Sequence, residues 1–120
     1  MARTSRKVND CPTIAATLAL KRLSGRWKIL ILHLLLERPH RYAELKRKIS
    51  NITDKMLSQQ LRELEEDNVL VKCVIVIDPP KTVQYELTEI GHQASEVLDA
   101  LTQWGRKIQR EREGEGGDYV

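Results

Sequence analysis

The chain has 120 residues, 41% of them hydrophobic and 31% charged, with a net charge of +3. That length holds one domain with a core of its own and no second domain, the composition excludes global disorder, and Cys11 and Cys73 are too few and too far apart for a zinc motif or a disulfide framework. The charge is unevenly spread: residues 1 to 50 hold 12 Lys and Arg against 3 Asp and Glu, residues 51 to 120 hold 8 against 14, a division found in nucleic-acid binders.

Residues 1–10, with Arg3, Arg6 and Lys7, read as a flexible basic arm. No apolar segment follows these cations, so the expectation is a cytoplasmic protein without a secretory signal. A first helix is predicted from Pro12, tolerated in an opening turn, through Ile14, Ala15, Leu18 and Ala19 to about Leu23, with Ser24-Gly25 ending it. A second, Arg26 to Leu36, is apolar nearly all round, the pattern of a helix at the centre of a core, and Pro39 ends it. Its apolar run is far shorter than the ~20 residues of a membrane span. Arg26 and Lys28 oppose the dipole of its first turn, which a DNA phosphate or chance would explain equally well. His33 has no second His at ligand spacing and reads as a satisfied core histidine rather than a metal ligand.

Arg41 to Asn68 organises the rest. Tyr42, Leu45 and Ile49 mark one amphipathic helix, Ser50 and Asn51 interrupt it, and Ile52-Thr53-Asp54 opens another. Thr53 is the N-cap, Asp54 favours the positive helix end and Ile52 staples onto Leu57. This is helix-turn-helix spacing. Leu57, Leu61 and Leu64 form one stripe of the second helix; Lys55, Gln59 and Arg62, with Ser58 at the margin, lie opposite. Such a face donates to phosphates and reads base edges in a major groove, although any solvated surface helix shows the same polarity.

Asn68 suits a left-handed helix end, after which the period changes. Val69 to Ile77 is rich in β-branched residues, Thr82 to Leu87 alternates, and Asp78-Pro79-Pro80-Lys81 turns between them. A hairpin following a helix-turn-helix is a wing, with Lys81, Thr82 and Lys72 placed for phosphates or a minor groove, or simply polar as hairpin tips are. Cys73 reads as packing. Thr88 then caps a long helix in which Ile90, Ala94, Val97, Leu101, Trp104 and Ile108 make an a/d stripe of about 31 Å. The stripe is longer than this domain covers, which points to a homodimer built from this helix and the first. Gly105 and the segment from Glu111 read as a fraying end and a disordered acidic tail, residues 111–120, leaving residues 11–110 as the folded domain.

The expected fold is therefore mainly α with a small β-hairpin wing (α+β), a winged helix-turn-helix with N- and C-terminal dimerisation helices. Cys11-Pro12, Gly25 to Leu32, Arg41 to Leu45, Lys55 to Glu65 and Tyr85 to Gly91 together resemble the HxlR family of transcription regulators, relatives of the MarR group. The resemblance implies a dimeric DNA-binding repressor or activator, with Thr53, Lys55, Ser58, Gln59 and Arg62 at recognition-helix positions and Arg41 before the supporting helix. It also implies a sensing cysteine at Cys11; at the start of a helix its thiol pKa can be lowered, although an inert buried cysteine fits as well. Two departures stand out: Asn68 replaces a usual Gly, and the wing carries about one extra residue.

Function is then expected to be that of a homodimeric, sequence-specific regulator on double-stranded DNA at a pseudo-palindromic operator, with oxidants or electrophiles as a candidate signal. The alternative is a winged-helix protein-interaction module that does not bind DNA. No cofactor is expected. No catalytic constellation, phosphate loop or metal site is discernible, so an enzyme is not expected.

Overall fold

Apolar spacing, turn residues and one proline divide the chain into helices α1 (Pro12–Leu23), α2 (Arg26–Glu37), α3 (Tyr42–Lys48), α4 (Asp54–Glu66) and α5 (Glu89–Gly114), with strands β1 (His40–Arg41), β2 (Leu70–Val76) and β3 (Thr82–Leu87). The computed structural model describes residues 12–76 and 82–114. Expectations for the basic arm, Cys11, Lys81 and the end of the tail lie outside the described residues.

The core gathers Ile31, Leu32 and Leu35 of α2 with Leu45 of α3 and Leu57, Leu61 and Leu64 of α4. Leu70, Tyr85 and Leu87 close it from the sheet, and Leu98 closes it from α5. α2 is central but not buried all round: Leu30 and His33 lie on an exposed side. The core histidine is His40 instead, wholly buried on β1. Its Nδ1 is 2.8 Å from the carbonyl of Arg38 and its Nε2 is 3.0 Å from Lys48 Nζ. A carbonyl only accepts, so Nδ1 carries the proton and Nε2 accepts from the lysine. The expected two-stranded wing gains this third strand, in the antiparallel order β1-β3-β2. Two residues are too few to show a period of two, which is why the pattern did not reveal β1.

Local chemistry sets the joints. The residue before Pro39 is extended, ending α2. Gly25 has φ +93° at the start of α2, and Asn51 and Asn68 take φ 68° and 61°, the left-handed region that Asn tolerates. At the end of α4 the Asn68 N–H donates to Glu65 O and the Val69 N–H to Leu64 O, both in a Schellman arrangement with Leu64 and Val69 buried beside each other. Thr88 then caps α5: its Oγ1 accepts from Gly91 N at 3.1 Å and donates to the Asn68 carbonyl at 2.7 Å. A Cβ on Gly91 would run into the Val69 carbonyl.

On the wing, β2 and β3 pair from Leu70↔Leu87 to Val74↔Val83, then jump to Val76↔Thr82. This shift is a bulge near Ile75. Cys73 is half-buried on β2, and burial followed by the nearby Glu86 raises its thiol pKa, in keeping with a packing role. Residues 111–114, expected in the tail, belong instead to α5, which runs through Gly105, the expected point of fraying, to Gly114. Glu111, Arg112 and Glu113 are good helix formers, and Lys107 and Glu111 stand one turn apart with opposite charge.

Candidate nucleic-acid interface

The helix-turn-helix is fixed at three points. Ile52 and Leu57 are both buried, as the staple requires, and Thr53 Oγ1 accepts from Met56 N at 3.1 Å while its own proton stays available to a ligand. Across the pair, the Tyr42 hydroxyl donates to Asp54 Oδ1 at 2.9 Å and lies 3.4 Å from Ser58 Oγ. Desolvation raises the Tyr42 pKa, which keeps the phenol a donor. These contacts bring the start of α3, and Arg41 before it, alongside the first turns of α4.

Arg41 is exposed, and its backbone is doubly held. Its N–H donates to Glu44 Oε1 at 2.9 Å, and it pairs with Gln84 of β3. Glu44 also receives Arg38 Nη2 at 2.8 Å; that hydrogen bond first, and the Arg41 N–H second, lower its pKa to about 2. Arg38 and Glu44 were not read from the sequence as part of the site. They matter by fixing the entry of α3.

Along α4, Lys55, Ser58, Gln59 and Arg62 are exposed while Leu57, Leu61 and Leu64 are buried, the division the sequence predicts. Gln59 is not a free side chain. Its Nε2 donates to Glu63 Oε2 at 3.2 Å, and Glu63 Oε1 accepts from Lys28 Nζ at 2.7 Å. Lys28 therefore turns inward, its side chain only 8% exposed, and the phosphate role considered for it is replaced by an internal ion pair. The Lys28 bond, then the Gln59 bond, lowers the Glu63 pKa. Neither partner follows from periodicity, since the pairing crosses from α2 to α4. Arg26 is exposed, stacked over the Trp27 ring at 4.4 Å.

The wing contributes less within the described residues. Thr82 is half-buried at the start of β3, and Lys72 Nζ stands 4.0 Å from Glu65 Oε1, drawn toward the far end of α4.

A second surface lies on α1 and α5. The stripe Ile90, Val97, Trp104 and Ile108 is exposed, Trp104 at 64%, with Ala94 and Leu101 half-buried. α5 anchors to the core one position over, through Gly91 and Leu98. α1 is exposed from Pro12 to Lys21 and docks at its end, where Leu23 is buried and Arg22 pairs with Asp67 at 3.1 Å. Between the two helices runs an apolar groove of about 460 Å³, lined by Ala15, Leu18, Ala19, Ile90, Ala94 and Val97. Among the described residues there is no acidic, His or Cys cluster able to hold a metal ion, and no helix is long and apolar enough to cross a membrane.

Comparison with known proteins matches this arrangement. The HTH-type transcriptional regulator YtcD of Bacillus subtilis is 47% identical over 92 residues, spanning 77% of this chain and 72% of its own. The redox regulator HypR in its oxidised form superposes with a TM-score of 0.70 at 31% identity, over 81% of this chain and 96% of HypR. The reduced form of the transcriptional regulator YodB from B. subtilis gives 0.69 at 32% identity, over 90% and 98%. The model of the HxlR-like helix-turn-helix family matches residues 22–113, and with a winged helix-turn-helix built from the same residues, the chain belongs to that family.

Proposed function

We propose that this protein is a homodimeric, sequence-specific transcription regulator, not an enzyme, that lays α4 of each subunit in successive major grooves of a pseudo-palindromic operator, about 34–36 Å apart. The observation that carries this reading is the outward face of α4: Lys55, Ser58, Gln59 and Arg62 stand exposed over a fully buried leucine stripe. Lys55 and Arg62 supply charge to phosphates or guanine, and Gln59 pairs with an adenine edge. Thr53 adds a hydroxyl at the helix start, Arg41 reaches the backbone beside α3, and Lys81 and Thr82 meet the flanking duplex at the wing. The uncovered apolar faces of α1 and α5 support the dimer, with Ile90, Ala94, Val97, Leu101, Trp104 and Ile108 at its centre. Names of relatives favour regulation of transcription and lend nothing to a module that ignores DNA.

The test is a mobility-shift titration with duplex DNA from upstream of the gene. Arg62→Ala weakens binding by about 1–3 kcal/mol if the side chain reads guanine, or lowers the salt slope by about one if it holds a phosphate. Binding unchanged in both respects removes Arg62 from the interface. Control through Cys11 fits the neighbours HypR and YodB, the first described as a redox regulator and the second solved both reduced and diamide-treated. A Cys11→Ser protein that still releases DNA in oxidant as the wild type does eliminates that cysteine as the sensor.

A further inference from the structure

We propose that Glu63 is a specificity-determining residue: by occupying one N–H of the Gln59 amide, it restricts Gln59 to adenine and disfavours guanine. This rests on Gln59 reading a base, as proposed above. A carboxylate only accepts, so the 3.2 Å contact between Gln59 Nε2 and Glu63 Oε2 turns the nitrogen end of the amide toward Glu63. One N–H and the carbonyl oxygen of Gln59 remain for the groove. Adenine offers the matching pair, an acceptor at N7 and a donor at N6, whereas guanine offers two acceptors, N7 and O6. A glutamine with both N–H groups free can turn them to guanine; one whose N–H is held cannot without giving up a charge-assisted bond.

The carboxylate is itself held. Glu63 stands one helical turn beyond Gln59, and its other oxygen accepts from the nearly buried Lys28 at 2.7 Å. That ion pair serves a second purpose. An unpaired carboxylate on the reading helix would repel DNA phosphates, and Lys28 neutralises it from the core side without reaching the duplex. α2 thus fixes, through Lys28 and Glu63, the orientation of an amide on the opposite side of α4.

The experiment is selection from a randomised duplex pool with the full chain, comparing wild type, Gln59→Ala, Glu63→Gln and the double variant Lys28→Met/Glu63→Met. Gln59→Ala is expected to erase an adenine preference at one position in each half-site. Glu63→Gln, whose side-chain amide can donate as well as accept, is expected to keep binding while the adenine-over-guanine ratio at that position falls about tenfold. The double variant removes both charges and the acceptor for Gln59 and leaves no unpaired buried cation, so it carries the same test if the single variant does not fold. An unchanged ratio in the double variant overturns the inference while base reading by Gln59 stands. Uniform weakening of every duplex with the preference intact shows a purely structural Glu63 and overturns it too. If Gln59→Ala keeps every wild-type preference, the premise itself is gone.

Discussion

Two helices here bury one face and leave the other uncovered, and the uncovered faces are made of opposite chemistry. α4 hides Leu57, Leu61 and Leu64 and turns out Lys55, Gln59 and Arg62. α5 hides Gly91 and Leu98 and turns out Ile90, Val97 and Trp104. A polar face in water is content without a partner. An apolar one forgoes about 1.5–3 kcal/mol for each large side chain left unburied, so it announces its need for a partner energetically. The polar face has to be recognised by geometry instead: a capped start, a supporting helix latched by Tyr42, and a Gln59 amide held by Glu63.

The largest expected effect falls on the joint between these two helices. Gly91→Ala sets a methyl against the Val69 carbonyl and the Leu87 side chain, and should destabilise the domain by about 3 kcal/mol in thermal or denaturant unfolding. Gly105→Ala, where a Cβ meets nothing within 4 Å, should be neutral or stabilise by up to about 1 kcal/mol. Equal losses at both positions would mean that α5 is not seated as described. Next comes the apolar face: Val97→Glu introduces a charge twice across the proposed symmetric interface, and should weaken self-association about a hundredfold in sedimentation, the equivalent of about 1.4 kcal/mol per copy. A dimer that survives it intact places the interface elsewhere. On the polar helix, Thr53→Ala removes the cap and should lower stability by about 1 kcal/mol, with DNA affinity falling further if the hydroxyl also meets a phosphate.

The smallest effect concerns acid. Glu44 has its pKa lowered from 4.5 to about 2, chiefly by the Arg38 hydrogen bond. A carboxyl lowered on folding stabilises above its unfolded value, so this contribution is complete above pH 4.5 and disappears as pH falls toward 2. The pair is exposed and screened, so the slope is shallow. Glu44→Gln should flatten it in acid unfolding curves; an identical slope would show that Glu44 takes no part in it.

Elements with a strong period or a punctuating residue were readable from the chain alone. The Thr53 cap, the Ile52–Leu57 staple, the leucine stripe, the left-handed Asn68 and the alternation ending in Tyr85 and Leu87 all sit as their chemistry dictates. What escaped depends on neighbours distant in sequence. β1 exists because β3 pairs with it, not because His40 and Arg41 favour a strand. His40 rather than His33 is buried for the same reason. Lys28 looked like a surface cation until α4 supplied Glu63 35 residues later. The a/d spacing of α5 was correct as a pattern, and the structure adds that the buried line runs beside it, through Gly91 and Leu98.

The Val69 carbonyl accepts from the backbone N–H of Thr88 and lies 3.1 Å from its hydroxyl, in the turn where α4 has just ended. A Cβ on Gly91 would meet the same oxygen, so the end of α4 and the start of α5 are tied together at one carbonyl. If the proposed dimer forms through α5, the crossing angle of the two long helices is expected to set the distance between the two copies of α4. A rotation of one long helix would then be expected to change the operator spacing that the pair spans, even with every side chain of the α4 polar face left as it is.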